Sequence, residues 1–156
     1  MTQNILIAMD DSENAQRAVA FVSESFSPQN TITLFNVMLD TATLCNMESP
    51  ELTPIFRAQQ SSFCALEDKK RELVNTAMDK ARRLLTSAGF AEDNIKTKIA
   101  NKRRGVARDI LEEAGNGYDL IVIGRRGLTG VKEFFLGSTS HKVFTGARDI
   151  SVLIVN

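Results

Sequence analysis

Short apolar runs of strand type alternate with segments of helical period along the chain, and few architectures accept that order. Asn4 to Met9 (NILIAM) is apolar and partly β-branched, as an interior parallel strand requires. Asp10, Asp11 and Ser12 follow, with side chains suited to capping a helix start. Ala15, Ala18, Val19, Val22 and Phe26 then recur at helical spacing, and Pro28 closes that region. Thr31 to Met38 (TITLFNVM) reads as a second strand. A long helix carries Val74, Ala77, Met78, Ala81, Leu84, Leu85 and Ala88 on one face, with Gly89 placed for its C-terminal cap. Asn94 to Ala100 alternates Ile95, Thr97 and Ile99 with Lys96 and Lys98, which suits a strand near a sheet edge. Gly105 opens a helix burying Val106, Ile110, Leu111 and Ala114, and the turn Gly115-Asn116-Gly117 feeds the apolar run Leu120 to Ile123. Ser138 to Thr145 reads as a last helix closed by Gly146, and Ser151 to Val155 (SVLIV) as a final strand.

Strands alternating with helices at this spacing imply right-handed βαβ units, hence a doubly wound parallel sheet with helices on both faces. At 156 residues the chain holds one such domain, residues 1–156. Leu39 to Asp68 fits the pattern least: Pro50 and Pro54 break it, and it reads as a variable insertion with a short helix, leading into the long one. In a five-stranded order 3-2-1-4-5 the winding reverses between the first and fourth strands, and ligands sit beyond the strand carboxyl ends there. Those ends are Asp10 and Gly124.

The formal charge is zero, which argues against a nucleic-acid partner or an anionic membrane surface. No apolar run is long enough to span a bilayer, and MTQNILIAMDD lacks the basic and apolar regions of a signal peptide. Cys45 and Cys64 form no CxxC pair and read as free thiols of a reducing compartment, so a cytoplasmic location is expected.

The chemistry concentrates in Asp119 to Ser140, DLIVIGRRGLTGVKEFFLGSTS. A strand ends at Gly124, then Gly127, Gly130 and Gly137 lead to Ser138, Thr139 and Ser140 at a helix start. Glycine lets backbone approach a ligand, and a helix N-terminus offers unpaired N–H groups to an anion. The plain alternative is four turn glycines meeting left-handed backbone needs. No GxxxxGK[ST] occurs, and no GxGxxG follows the first strand. What stands here is G-x2-G-x9-G-S, from Gly124 and Gly127 to Gly137 and Ser138.

That spacing, with GLTGVKEFFLGSTSHKV around it and ILIAMDDSENAQRAV at the start, resembles the ATP-binding subgroup of the universal stress proteins. The resemblance covers essentially the whole chain and implies a fold of the adenine nucleotide α-hydrolase-like kind. It implies ATP as ligand, alone or with Mg2+, and assigns roles by position. Asp10 matches the acidic residue that meets the ribose, Ala8 lines the same mouth, and Val37 matches the position whose backbone meets adenine. Gly124 and Gly127 match the glycines near ribose and phosphates, and Gly137, Ser138 and Thr139 the phosphate-binding turn. Two departures stand out. Asp11 replaces a frequent glycine and adds negative charge near a polyanion, and Ala107 replaces a frequent proline. Arg125 and Arg126 either offset that charge or form a solvated loop tip.

His141 has no Ser/His/Asp or metal constellation beside it in the sequence, and Lys102, Arg103 and Arg104 read as a solvated loop. The apolar final strand lies at a sheet edge without a lysine or proline guard, and the resemblance implies a homodimer through Ser151–Val155. The expectation is therefore a cytoplasmic, dimeric, ATP-binding regulatory protein of the stress response, without committed catalysis and with a protein partner still to be identified. Two other readings stand beside it: a nucleotide-independent partner-binding module, and an adenylating enzyme of the wider α-hydrolase-like group.

Overall fold

The computed structural model describes residues 1–48, 53–126 and 136–156. Five parallel strands form one sheet: β1 (Asn4–Ala8), β2 (Thr31–Met38), β3 (Ile95–Asn101), β4 (Leu120–Gly124) and β5 (Ser151–Val155), in the order β3-β2-β1-β4-β5. The helices are α1 (Glu13–Ser25), α2 (Ala42–Cys45), α3 (Pro54–Ser87), α4 (Val106–Ala114) and α5 (Ser138–Gly146). This is the doubly wound arrangement the sequence implies.

Strand alternation divides the core into two layers. Ile5, Ile7, Ile32 and Leu34 turn to one face, where Ala18, Val19 and Val22 of α1 and Met78, Ala81 and Leu85 of α3 cover them. Leu6, Ala8, Phe35, Val37, Ile121 and Ile123 turn to the other, under Ala107, Ile110 and Ala114 of α4 and Val143 of α5. Past their first residues the central strands are buried on both faces, which is why they read as continuous apolar runs rather than alternating ones. β3 keeps Lys96 and Lys98 exposed at one edge, and β5 forms the other.

Two expectations are corrected. The long helix begins at Pro54, twenty residues before its apolar stripe becomes clear. Proline here starts the helix instead of breaking it: it occupies the first turn, where its missing N–H costs no hydrogen bond. Thr53 caps that start, its hydroxyl accepting from Phe56 N–H at 3.3 Å. Pro50 lies outside the described residues. The second correction concerns Cys45 and Cys64, which are not free thiols but a disulfide, with Cα atoms 5.9 Å apart. Their separation of 19 in sequence conceals the contact, because α2 folds back onto the early turns of α3. The Gln60 side chain reinforces that junction by donating to the carbonyls of Leu44 and Met47.

Candidate functional site

At the carboxyl ends of β1 and β4 the sheet opens into a crevice of about 240 Å³. Ala8, Asp10, Gly124, Gly137, Ser138 and Thr139 all lie on its wall, so six of the eight residues singled out by sequence meet in one place. Gly127, with Gly130, lies outside the described residues. Val37 is not on the wall, yet its backbone is turned toward the opening. Phe35 accepts from Met9 N–H on the β1 side, and Met38 accepts from Lys102 N–H on the β3 side. By alternation Val37 presents its N–H and C=O toward β1, beyond the last paired residues, Ala8 and Phe35.

The acidic side is built at the start of α1. Asp10 Oδ1 accepts from Ser12 N–H at 2.9 Å and from the Ser12 hydroxyl. Ser12 in turn caps the helix, its Oγ accepting from Ala15 N–H at 3.2 Å. The carboxylate is thus held by one oxygen, and Oδ2 has no partner among the described residues. Asp11 points elsewhere: it lines the groove between α1 and α3, not the crevice. Its charge therefore does not face the space where a polyanion would lie.

The opposite side is built at the start of α5. Gly137 is the N-cap residue and supplies no side chain to cap the helix, so the first-turn N–H groups keep their capacity for an anion. The chain is pinned there by Gly137 N–H donating to Arg125 C=O at 2.9 Å and by the buried Ser140 hydroxyl donating to Gly124 C=O at 2.8 Å. Gly124 and Gly137 have no left-handed backbone, the positive-φ glycines among the described residues being Gly89, Gly105 and Gly117. Gly124 is glycine for clearance: a Cβ would lie 2.7 Å from the Asn14 carbonyl oxygen of α1. β4 thus packs closely on α1 beside the crevice.

The two loop arginines separate. Arg125 reaches away to the Asn156 side chain, Nη1 to Oδ1 at 3.1 Å. Arg126 lines the crevice, and its Nε is buried without a hydrogen-bond partner among the described residues. An unpaired buried guanidinium N–H is costly unless a ligand accepts from it. Apolar walls come from Val106, Ile110 and Ile123, which sequence reading passed over as core. The signal for Val106 was available, because helix starts in such folds sit at the same sheet end as the strand carboxyl ends.

Among the described residues, the two groups with displaced pKa values lie outside the crevice wall. Asp109, in the first turn of α4, is held below the usual carboxylate range by the Arg103 N–H at 2.8 Å, aided by Arg104 N–H at 3.0 Å, with burial opposing. Burial raises the Tyr118 phenol, whose hydroxyl donates to Glu113 at 3.0 Å. His141 is exposed on α5. Among the described residues no group of three or more His, Cys, Asp or Glu is placed to hold a metal.

The model of the universal stress protein family matches residues 1–156. This chain belongs to that family. Universal stress protein YxiE of Bacillus subtilis is 43% identical over 54 residues, which span 34% of this chain and 36% of that protein. Universal stress protein UspA from Lactobacillus plantarum has the same fold, with a TM-score of 0.70 at 24% identity over 99% of this chain and 97% of that one. A universal stress protein in complex with cAMP superposes with a TM-score of 0.64 at 17% identity, covering 99% and 97% of the two chains. No helix among the described residues of this universal stress protein is long and apolar enough to cross a membrane.

Proposed function

We propose that this universal stress protein binds an adenine nucleotide, ATP, in the β1–β4 crevice and acts as a nucleotide-responsive regulatory protein. The observation that carries the reading is the polarity of the crevice. A tethered carboxylate with one free oxygen stands on one side, and Arg126 Nε, Ser138, Thr139 and an uncapped helix start stand on the other. A sugar hydroxyl needs the first and a phosphate needs the second. The apolar surface of Val106, Ile110 and Ile123 suits a flat base, and the Val37 backbone offers its edge a donor and an acceptor. The cAMP held by one relative of the same fold is itself an adenine nucleotide.

Mg2+ would enter with the phosphates, since that ion is held by one or two carboxylates plus phosphate oxygens instead of a protein cage. ATP acts here as a ligand that favours one state of the protein over another. No described residue set combines a nucleophile, a base and an orienting group in the crevice, so turnover should fall well below roughly 1 per second. β5, an apolar edge strand, is the proposed homodimer contact, with the unidentified protein partner reading the nucleotide state. A cytoplasmic location belongs to the same reading and has a condition: in a reducing compartment the Cys45–Cys64 bond would stand open.

The test is mass spectrometry of small molecules released from the purified, denatured protein, with Asp10→Ala and Arg126→Ala beside it. Adenine nucleotide released from the native chain and reduced in both variants supports the proposal. Release of none, after incubation with ATP and rapid desalting, overturns it.

A further inference from the structure

A second, larger concavity of about 810 Å³ lies between α4 and α5, running from Thr139 to Gly146 along α5, and its charge is one-sided. Lys102, Arg104, Arg108 and Lys142 line it, and no acidic residue does among the described residues. None of these four side chains makes an ion pair among the described residues. Two acids of α4 are committed elsewhere: Glu112 pairs with Arg103 at 3.7 Å, and Asp109 is buried with both oxygens on the Arg103 and Arg104 N–H groups. In a chain of zero formal charge, four cations without an ion pair among the described residues make a local concentration of positive potential. The concavity also adjoins the crevice, since Val106 and Thr139 line both. The basic run before Gly105 is thus one wall of a site completed by Arg108 and by Lys142 from another helix.

We propose that this concavity is a second anion site that takes a chain of phosphates. Two sources share that chemistry: the phosphate tail of a nucleotide seated in the crevice, extending past Thr139, and a separate linear phosphate chain. Only the first source rests on the nucleotide reading. Several cations spread along a curved wall match a ligand with several charges in a row, whereas a single phosphate would engage only part of it.

The experiment is a calorimetric titration of inorganic tripolyphosphate into the full chain at low and moderate salt. It is run on the wild type, on the double variant Arg108→Glu/Lys142→Glu and on Arg17→Glu/Lys80→Glu, which changes net charge equally on the groove between α1 and α3. Wild type should bind, and the α4–α5 double variant should lose about tenfold or more at low salt, while the control loses less than about twofold. Adenosine, which carries no phosphate, should bind all three alike, showing that the crevice is intact. A fall in the ATP-to-AMP affinity ratio in the α4–α5 variant identifies the nucleotide tail as the source, and an unchanged ratio identifies a separate chain; both support the site. If adenosine and AMP bind nowhere while tripolyphosphate behaves as stated, the nucleotide reading falls and the anion site stands. No tripolyphosphate binding by wild type, or equal loss in both double variants, overturns the proposal.

Discussion

Gly124→Ala should destabilise this protein, although the residue sits at a strand end with ordinary backbone angles. The added Cβ would lie 2.7 Å from the Asn14 carbonyl oxygen, 2.8 Å from its carbonyl carbon and 2.9 Å from its Cβ. Such pairs are comfortable near 3.5 Å, so the start of α1 must retreat by roughly half an ångström or more. Two of the three atoms are backbone, and the turn above them is fixed by the Asp10–Ser12–Ala15 hydrogen bonds. Forced overpacking of this kind costs about 1–3 kcal/mol, and each kilocalorie lowers Tm by about 2–4 °C for a chain of this size. Urea melts would give the free energy and a thermal scan the shift. Gly146→Ala is the internal comparison. Its Cβ meets only Leu111 Cδ1, at 2.6 Å, with the next Leu111 atom 4.0 Å away. That methyl is the end of a flexible side chain and can swing aside, while alanine at a compatible backbone position gains about 0.4–1 kcal/mol by restricting the unfolded chain. Gly146→Ala should therefore be neutral or stabilising. Equal losses in the two variants, or no loss in Gly124→Ala, would refute the claim that backbone contact with α1 dictates glycine at the crevice.

Ser140→Ala removes the buried donor to Gly124 C=O and should cost about 1–3 kcal/mol in the same urea assay. Iodoacetamide should label no cysteine in the non-reduced, denatured protein and two after reduction, since Cys45 and Cys64 are paired. Opening that bond should cost about 3 kcal/mol on the loop-entropy model. Asp109 should stabilise the fold at neutral pH and cease to do so in acid. Its carboxyl is lowered in the folded chain, so the contribution is present above the ordinary value of 3.8 and fades as pH falls through the folded one. The stability gap between wild type and Asp109→Asn should therefore be wide at neutral pH and close in strong acid; a gap independent of pH would contradict the assignment.

Most of the fold was legible because each element carried its own signal. Thr31–Met38 and Ser151–Val155 were read with the bounds they have, since each opens on a hydroxyl residue and continues in strand-forming types. The switch point followed from strand order, and it brought Asp10 and Gly124 to one crevice as expected. What sequence could not show depends on tertiary contact. Thr53 and Pro54 form a good helix start, but the exposed, irregular turns that follow hid the helix until Val74. The pairing of Cys45 with Cys64 needs α2 against α3, which no spacing rule supplies. Arg125 and Arg126 are chemically identical neighbours, and only the fold sends one to Asn156 and the other to the crevice.

The most direct test of the crevice as a nucleotide site is a calorimetric titration of ATP into the full chain, with Ser138→Ala alongside. Ser138 is exposed on the wall, so its loss should leave stability unchanged while weakening any phosphate contact. Saturable binding of about one ATP per chain in wild type, weakened by about 0.5–1.5 kcal/mol in Ser138→Ala at equal urea stability, is the result expected. An absence of heat at millimolar ATP, the range of affinities weaker than about −4 kcal/mol, would contradict it and leave the glycine turn as architecture alone.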